Sequence, residues 1–143
     1  MNQIKMNKLY MDIAIRLSEM SYAQRKKVGA ILVKDDNILS FGWNGMPAGF
    51  DNDCEHIGAD THGCLVTNNE VAHAELNIFA KLSKNGCTGT KGSMLYVTLS
   101  PCFECSKLIV QSGVSKVYYL DEYRDTSPLE FLVKAGVEVI KYE

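Results

Sequence analysis

Apolar residues along the chain fall into short periodic runs separated by polar punctuation. Leu9, Ile13, Leu17 and Met20 recur at three- and four-residue steps, which predicts an amphipathic helix over about 7–20 that covers one face of a sheet. Two β-rich runs, 28–33 and 38–43, flank Lys34-Asp35-Asp36-Asn37 and read as an antiparallel hairpin. From 44 to about 69 the chain is poor in apolar residues and rich in Gly, Asp, Asn and His, and a loop of that length is more often functional than idle.

A second helix is expected from about residue 72, with Ala74, Ile78, Phe79 and Leu82 as its buried side and Asn85-Gly86 as its stop. A buried-type strand follows over 94–99. Ser100-Pro101 then reads as an N-cap and first helical position, with Gly113 closing that third helix. A strand over 116–120, a last helix opened by Ser127-Pro128 and ended by Gly136, and a closing strand over 137–142 complete the order. No internal repeat appears. The pattern predicts an α/β fold, a three-layer α/β/α sandwich around one mixed sheet of about five strands, in a single domain over 1–143.

Composition narrows the function. The first residues carry no apolar run, and no later stretch approaches the ~18 apolar residues of a membrane span, so a soluble protein is expected. Five cysteines, unevenly spaced and without a secretion signal, point to a reducing, cytosolic setting with thiols free for metal. A net charge of −2 argues against a nucleic-acid partner, which normally needs a broad basic face, but leaves a small anionic ligand open.

The chemistry concentrates in His73-Ala74-Glu75 and Pro101-Cys102-Phe103-Glu104-Cys105. Two thiols three apart can chelate one ion, and a histidine from another helix makes a third ligand. Three protein ligands leave a tetrahedral zinc one position short, the mark of a catalytic site, because structural zincs fill all four positions with protein. The N-terminus of the third helix favours thiolates at Cys102 and Cys105. Two thiolates cancel the charge of Zn²⁺, so activating a water needs a nearby proton acceptor. Glu75 is placed for that role and not as a ligand. A structural zinc knuckle beside a coincidental His-x-Glu is the competing reading, and it has no use for Glu75.

This combination resembles the signature of the zinc-dependent nucleobase deaminases. Within them the chain resembles the deoxycytidylate (dCMP) deaminases of bacteriophages and bacteria, from about Leu9 to Tyr142. The likeness runs through Val28-Gly29-Ala30, Gly42-Trp43-Asn44-Gly45-Met46-Pro47, His73-Ala74-Glu75-Leu76-Asn77, the stretch 95–102 and Tyr123. It implies a cytidine-deaminase-like fold and hydrolysis of dCMP to dUMP, with His73, Cys102 and Cys105 on Zn²⁺ and Glu75 as proton shuttle. It also implies that Tyr123 stacks on the pyrimidine, although an aromatic past a strand end can simply cap the core. Ala74 and Ser100 are taken with these as substrate contacts, and Asn44 as a sugar or nucleotide contact. Arg25 and Arg124 are candidates for the 5′-phosphate, while Arg25-Lys26-Lys27 could equally be a solvated basic turn. The resemblance further implies activation by dCTP and inhibition by dTTP at an effector site around Gly42, Trp43, Asn44 and Gly45, with Mg²⁺ accompanying the triphosphate, and a homo-oligomer, commonly a hexamer.

Some phage relatives carry a cysteine ligand of a second zinc shortly before the Val-Gly-Ala strand, where this chain has Ala23. Cys54, His56, His62 and Cys64 could form a site among themselves, or pack singly in the loop. Cys87 reads as a small buried hydrophobe. Within the superfamily, a tRNA adenosine deaminase is disfavoured by the acidic balance, and the Gly-Trp-Asn-Gly stretch disfavours both it and the deaminase domain of riboflavin biosynthesis.

Overall fold

The computed structural model describes residues 2–60, 62–86 and 89–143. Its elements are α1 (Gln3–Ser18), β1 (Gly29–Lys34), β2 (Asn37–Trp43), β3 (Glu55–Ile57), β4 (Leu65–Thr67), α2 (Ala74–Asn85), β5 (Met94–Leu99), α3 (Phe103–Gln111), β6 (Lys116–Asp121), α4 (Ser127–Lys134) and β7 (Glu138–Lys141). Five strands form one sheet in the order β2-β1-β5-β6-β7. β1 pairs antiparallel with β2 and β5, whereas β5, β6 and β7 run parallel through the crossovers α3 and α4. The sheet is therefore mixed, as expected.

Side-chain alternation along the strands splits the core in two. Ala30, Leu32, Leu95, Val97 and Val117 face α2, α3 and α4, packing with Ala74, Ile78, Ile109, Leu129 and Leu132. Ile31, Val33, Tyr96 and Tyr118 face the other way, against Tyr10, Met11 and Ala14 of α1. Three helices on one face and one on the other make the three-layer sandwich. Among the described residues no helix is long and apolar enough to cross a membrane.

Several boundaries differ from the sequence reading. α1 starts at Gln3 because the Asn2 side chain accepts from the Lys5 amide and caps it. Its buried stripe is Tyr10, Met11 and Ala14, while Leu9 and Met20 of the expected stripe are exposed, so the helix is rotated to set its small residue against the sheet. The β1–β2 connection turns through Asp35 and Asp36, both at positive φ, as a tight hairpin with the twist of its strands requires. The long loop contains the small β3–β4 hairpin. Ser100 does not cap α3: its amide donates to the Asp121 carbonyl, prolonging the β5–β6 pairing, and the N-cap passes to Cys102. Thr126, not Ser127, stands at the N-cap of α4. Cys87 lies outside the described residues.

Candidate active site

Two helix beginnings meet at the C-terminal end of β5, the edge where α/β sheets carry their ligands. His73 is the N-cap of α2 and Cys102 the N-cap of α3, both in extended conformation. His73 Nδ1 lies 3.5 Å from Cys102 Sγ and 3.5 Å from Cys105 Sγ. The three donor atoms lie within 4.8 Å of one another, and among the described residues no other His, Cys, Asp or Glu group of three or more is gathered this way. One nitrogen and two sulfurs at that spacing fit a single Zn²⁺, with bonds of about 2.0–2.3 Å.

The thiols behave as a pair. The Cys102 thiol is pushed down to about 3 by hydrogen bonds from the Cys105 thiol, the His73 ring and the Cys105 amide, against the effect of partial burial. The Cys105 thiol is pushed up by the same partnership and by its burial. Opposite shifts on two adjacent sulfurs mark a coupled pair, and a divalent cation binding there would take thiolates in place of thiols.

Glu75 sits in the first turn of α2, only 4% exposed. Burial pushes its carboxyl up to about 7, with the Cys102 thiolate adding to the rise and its own amide and His73 opposing it. It stands beside the donor group without belonging to it.

A cavity of about 210 Å³ opens from this cluster. His73, Glu75, Cys102 and Tyr123 are among the residues that line it, with Arg25, Asn44, Ala74 and Ser100. The Tyr123 amide donates to Ser100 Oγ at 2.9 Å, so Ser100 anchors the main chain of Tyr123 beside the cavity. Burial raises the Tyr123 hydroxyl first, then the charges of Glu75, Cys102 and Cys105, and Arg25 opposes them. The ring thus lies within electrostatic reach of both the thiol cluster and Arg25. Arg124 is exposed and is not part of the lining.

Asn44 is structurally committed. Its Oδ1 accepts from the Val28 amide at 2.9 Å and its Nδ2 donates to the Lys26 carbonyl at 2.9 Å. A Cβ on Gly42 would stand 3.0 Å from the Ala74 carbonyl oxygen, so that glycine lets α2 lie against β2. Trp43 stacks on Phe41, with Lys81 over both rings, and Gly45 bridges Ala72. Each expected effector residue therefore has a task within the fold. In the long loop, the His56 ring bonds Asn68 and Cys54 is buried, and with His62 and Cys64 they are not gathered around one point.

Sequence reasoning did not single out Glu55, Thr67 or Lys26 as cavity residues. The only signal for the first two was the length of the loop that carries them.

A three-donor centre at paired helix starts, with a buried carboxylate beside it and a cavity opening from it, defines a hydrolytic zinc site of the cytidine-deaminase fold. Residues 4–121 match the family model described as the cytidine and deoxycytidylate deaminase zinc-binding region, and the chain belongs to that family. The dCMP deaminase of cyanophage S-TIM5, solved in complex with dCMP and dUMP, has a TM-score of 0.87 and 45% identity, covering 99% of this chain and 98% of that one. The deoxycytidylate deaminase of enterobacteria phage T4 is 31% identical over 167 residues, spanning 90% of this chain and 86% of its own. ComE operon protein 2 of Bacillus subtilis is 35% identical over 148 residues, 100% of this chain and 74% of its own.

Proposed function

We propose that the chain hydrolyses the 4-amino group of dCMP, giving dUMP and ammonia. The observation that carries this reading is the buried Glu75 carboxyl lining one cavity with His73, Cys102, Tyr123 and Arg25, with Cys105 completing the donor group behind it. The substrate named for the cyanophage relative supports the choice of nucleotide.

His73 Nδ1 and the two cysteine sulfurs would hold Zn²⁺, which when bound supplies Lewis-acid activation of water. Glu75 takes a proton from the water whose oxygen bonds to C4 of the cytosine. One of the two water protons ends on N3 and the other on the departing nitrogen. The C4–N4 bond then breaks and ammonia leaves, so that C4 carries the new carbonyl. A carboxyl pushed up to about 7 by burial is close to balance between its two protonation states near neutral pH, which suits it to accept and return a proton. Tyr123, held through Ser100, provides a ring face for the pyrimidine, and Ala74 and Asn44 wall the sugar side. Arg25 receives the 5′-phosphate by charge-assisted hydrogen bonds.

Arg25→Ala is expected to raise KM for dCMP about tenfold or more while changing KM for deoxycytidine little, because the nucleoside has no phosphate to lose. Arg124→Ala, outside the cavity lining, is expected to show the smaller selective effect. Equal losses on both substrates would remove these arginines from phosphate recognition.

The finer reading adds regulation: dCTP activating and dTTP inhibiting at one site around Gly42, Trp43, Asn44 and Gly45, with Mg²⁺ on the triphosphate, in a cytosolic homo-oligomer. Its support is the family membership, the bonding of Asn44 to both Lys26 and Val28 of the cavity wall, and exposed Leu76, Phe103 and Val133 on the helical layer. Effector binding at Asn44 would move the wall directly, and linkage then requires dCMP to change effector affinity by the same factor. Saturation curves for dCMP should shift to lower KM with dCTP and to higher KM with dTTP. Hyperbolic curves unmoved by either triphosphate would remove the regulation and leave the deaminase.

A further inference from the structure

We propose that the β3–β4 hairpin is a phosphate-specificity clamp, in which Glu55 and Thr67 act as positioning residues that hold Arg25 toward the cavity. The proposal rests on Arg25 being the phosphate partner. Arg25 lies in the irregular stretch between α1 and β1, where no strand ladder fixes its backbone. Glu55 and Thr67 stand directly opposite each other in the antiparallel pair. Glu55 Oε2 accepts from the amides of Gln24 at 2.8 Å and Arg25 at 3.0 Å. Thr67 Oγ1 accepts from the Arg25 guanidinium, Nη1, at 3.3 Å. A single cross-strand pair thus grips one residue at its main chain and at its side-chain tip.

The charges are arranged to leave the guanidinium free. The Glu55 carboxylate spends Oε2 on main-chain amides, and its Oε1 is buried with no hydrogen-bond partner. Among the described residues no carboxylate forms an ion pair with Arg25, and Thr67 occupies only one guanidinium nitrogen with a neutral oxygen. Lys26 also lines the cavity, but its ammonium is paired with Asp121 at 2.9 Å. Of the basic run 25–27, Arg25 is the member that lines the cavity without a carboxylate partner among the described residues. An arginine preorganised by two partners loses less side-chain freedom on binding a phosphate than one on a free loop.

The test is the ratio of kcat/KM for dCMP to that for deoxycytidine, measured in each variant so that a partly folded preparation cancels. Arg25→Ala is the reference and lowers the ratio. Glu55→Ala is expected to lower it about tenfold, mainly through KM for dCMP, and Thr67→Val about threefold. Glu55→Gln keeps one acceptor oxygen for the two amides and should recover part of the loss. Combined with Arg25→Ala, Glu55→Ala should lower the ratio no further, since both remove the same contact. Ratios held within about twofold of wild type in Glu55→Ala and Thr67→Val, beside a lowered ratio in Arg25→Ala, would overturn the clamp and leave Arg25 as the phosphate residue. Additive losses in the double variant would overturn it too. An unchanged ratio in Arg25→Ala would instead overturn the phosphate assignment, and the clamp with it.

Discussion

Glu75→Gln is expected to keep its metal and lose turnover, with kcat falling about 10²–10⁴-fold. The side chain is buried in the first turn of α2, beside the three donors and apart from them. Glutamine has nearly the same shape and can keep hydrogen bonds in that space, so His73, Cys102 and Cys105 should stay where they are. What it cannot do is accept the proton of the attacking water. Metal content by elemental analysis and initial rate on dCMP are measured on the same preparation. Metal lost together with activity would make Glu75 a ligand and overturn its assignment as the proton acceptor.

Gly29→Ala is expected to have the largest effect on stability. A Cβ at Gly29 would stand 2.1 Å from the Ala14 carbonyl oxygen and 2.5 Å from the Ser18 amide nitrogen. Both are main-chain atoms of α1, so no side chain can swing away, and the helix must lift from the sheet. Overpacking of a core commonly costs about 1–3 kcal/mol, and backbone displacement puts this site at the upper end or beyond. For a chain of 143 residues a loss of about 3 kcal/mol corresponds to a fall in Tm of roughly 10 °C. An unchanged Tm would mean that α1 does not lie against β1 in this way.

The same contact explains what periodicity could and could not reveal. The hydrophobic pattern locates α1 but assigns its stripe to Leu9, Ile13, Leu17 and Met20, because those are its large apolar residues at helical spacing. The helix instead turns Ala14 toward Gly29, a close approach of two small residues that carries no hydrophobic signal. The five strands of the main sheet were legible because each has a run of apolar residues bounded by turn residues. β3 and β4 were not, since three residues are too few to express a period of two. Their two cavity residues, Glu55 and Thr67, hydrogen-bond partners 30 and more positions away, a relation that no local spacing encodes.

The metal group was legible for the opposite reason. Cys102 and Cys105 are three apart, and His73 with Glu75 forms a short motif whose residue types have few other uses together. The structure adds that the donors sit at two helix starts, that Glu75 is buried enough to raise its carboxyl, and that Ser100 serves Tyr123 rather than capping α3. Gly42 and Asn44 show how one motif can serve two ends. The glycine admits α2, and the asparagine ties β2 to the stretch before β1, whatever else the pair contacts.

The most direct measurement gives purified, zinc-loaded protein dCMP, deoxycytidine, cytidine, dCTP and adenosine in parallel, following absorbance and released ammonia. The expected result is dCMP consumed with the highest kcat/KM, with dUMP and ammonia formed in equal amounts. No conversion of dCMP by protein carrying about one zinc per chain, or adenosine turned over in its place, would contradict the assignment.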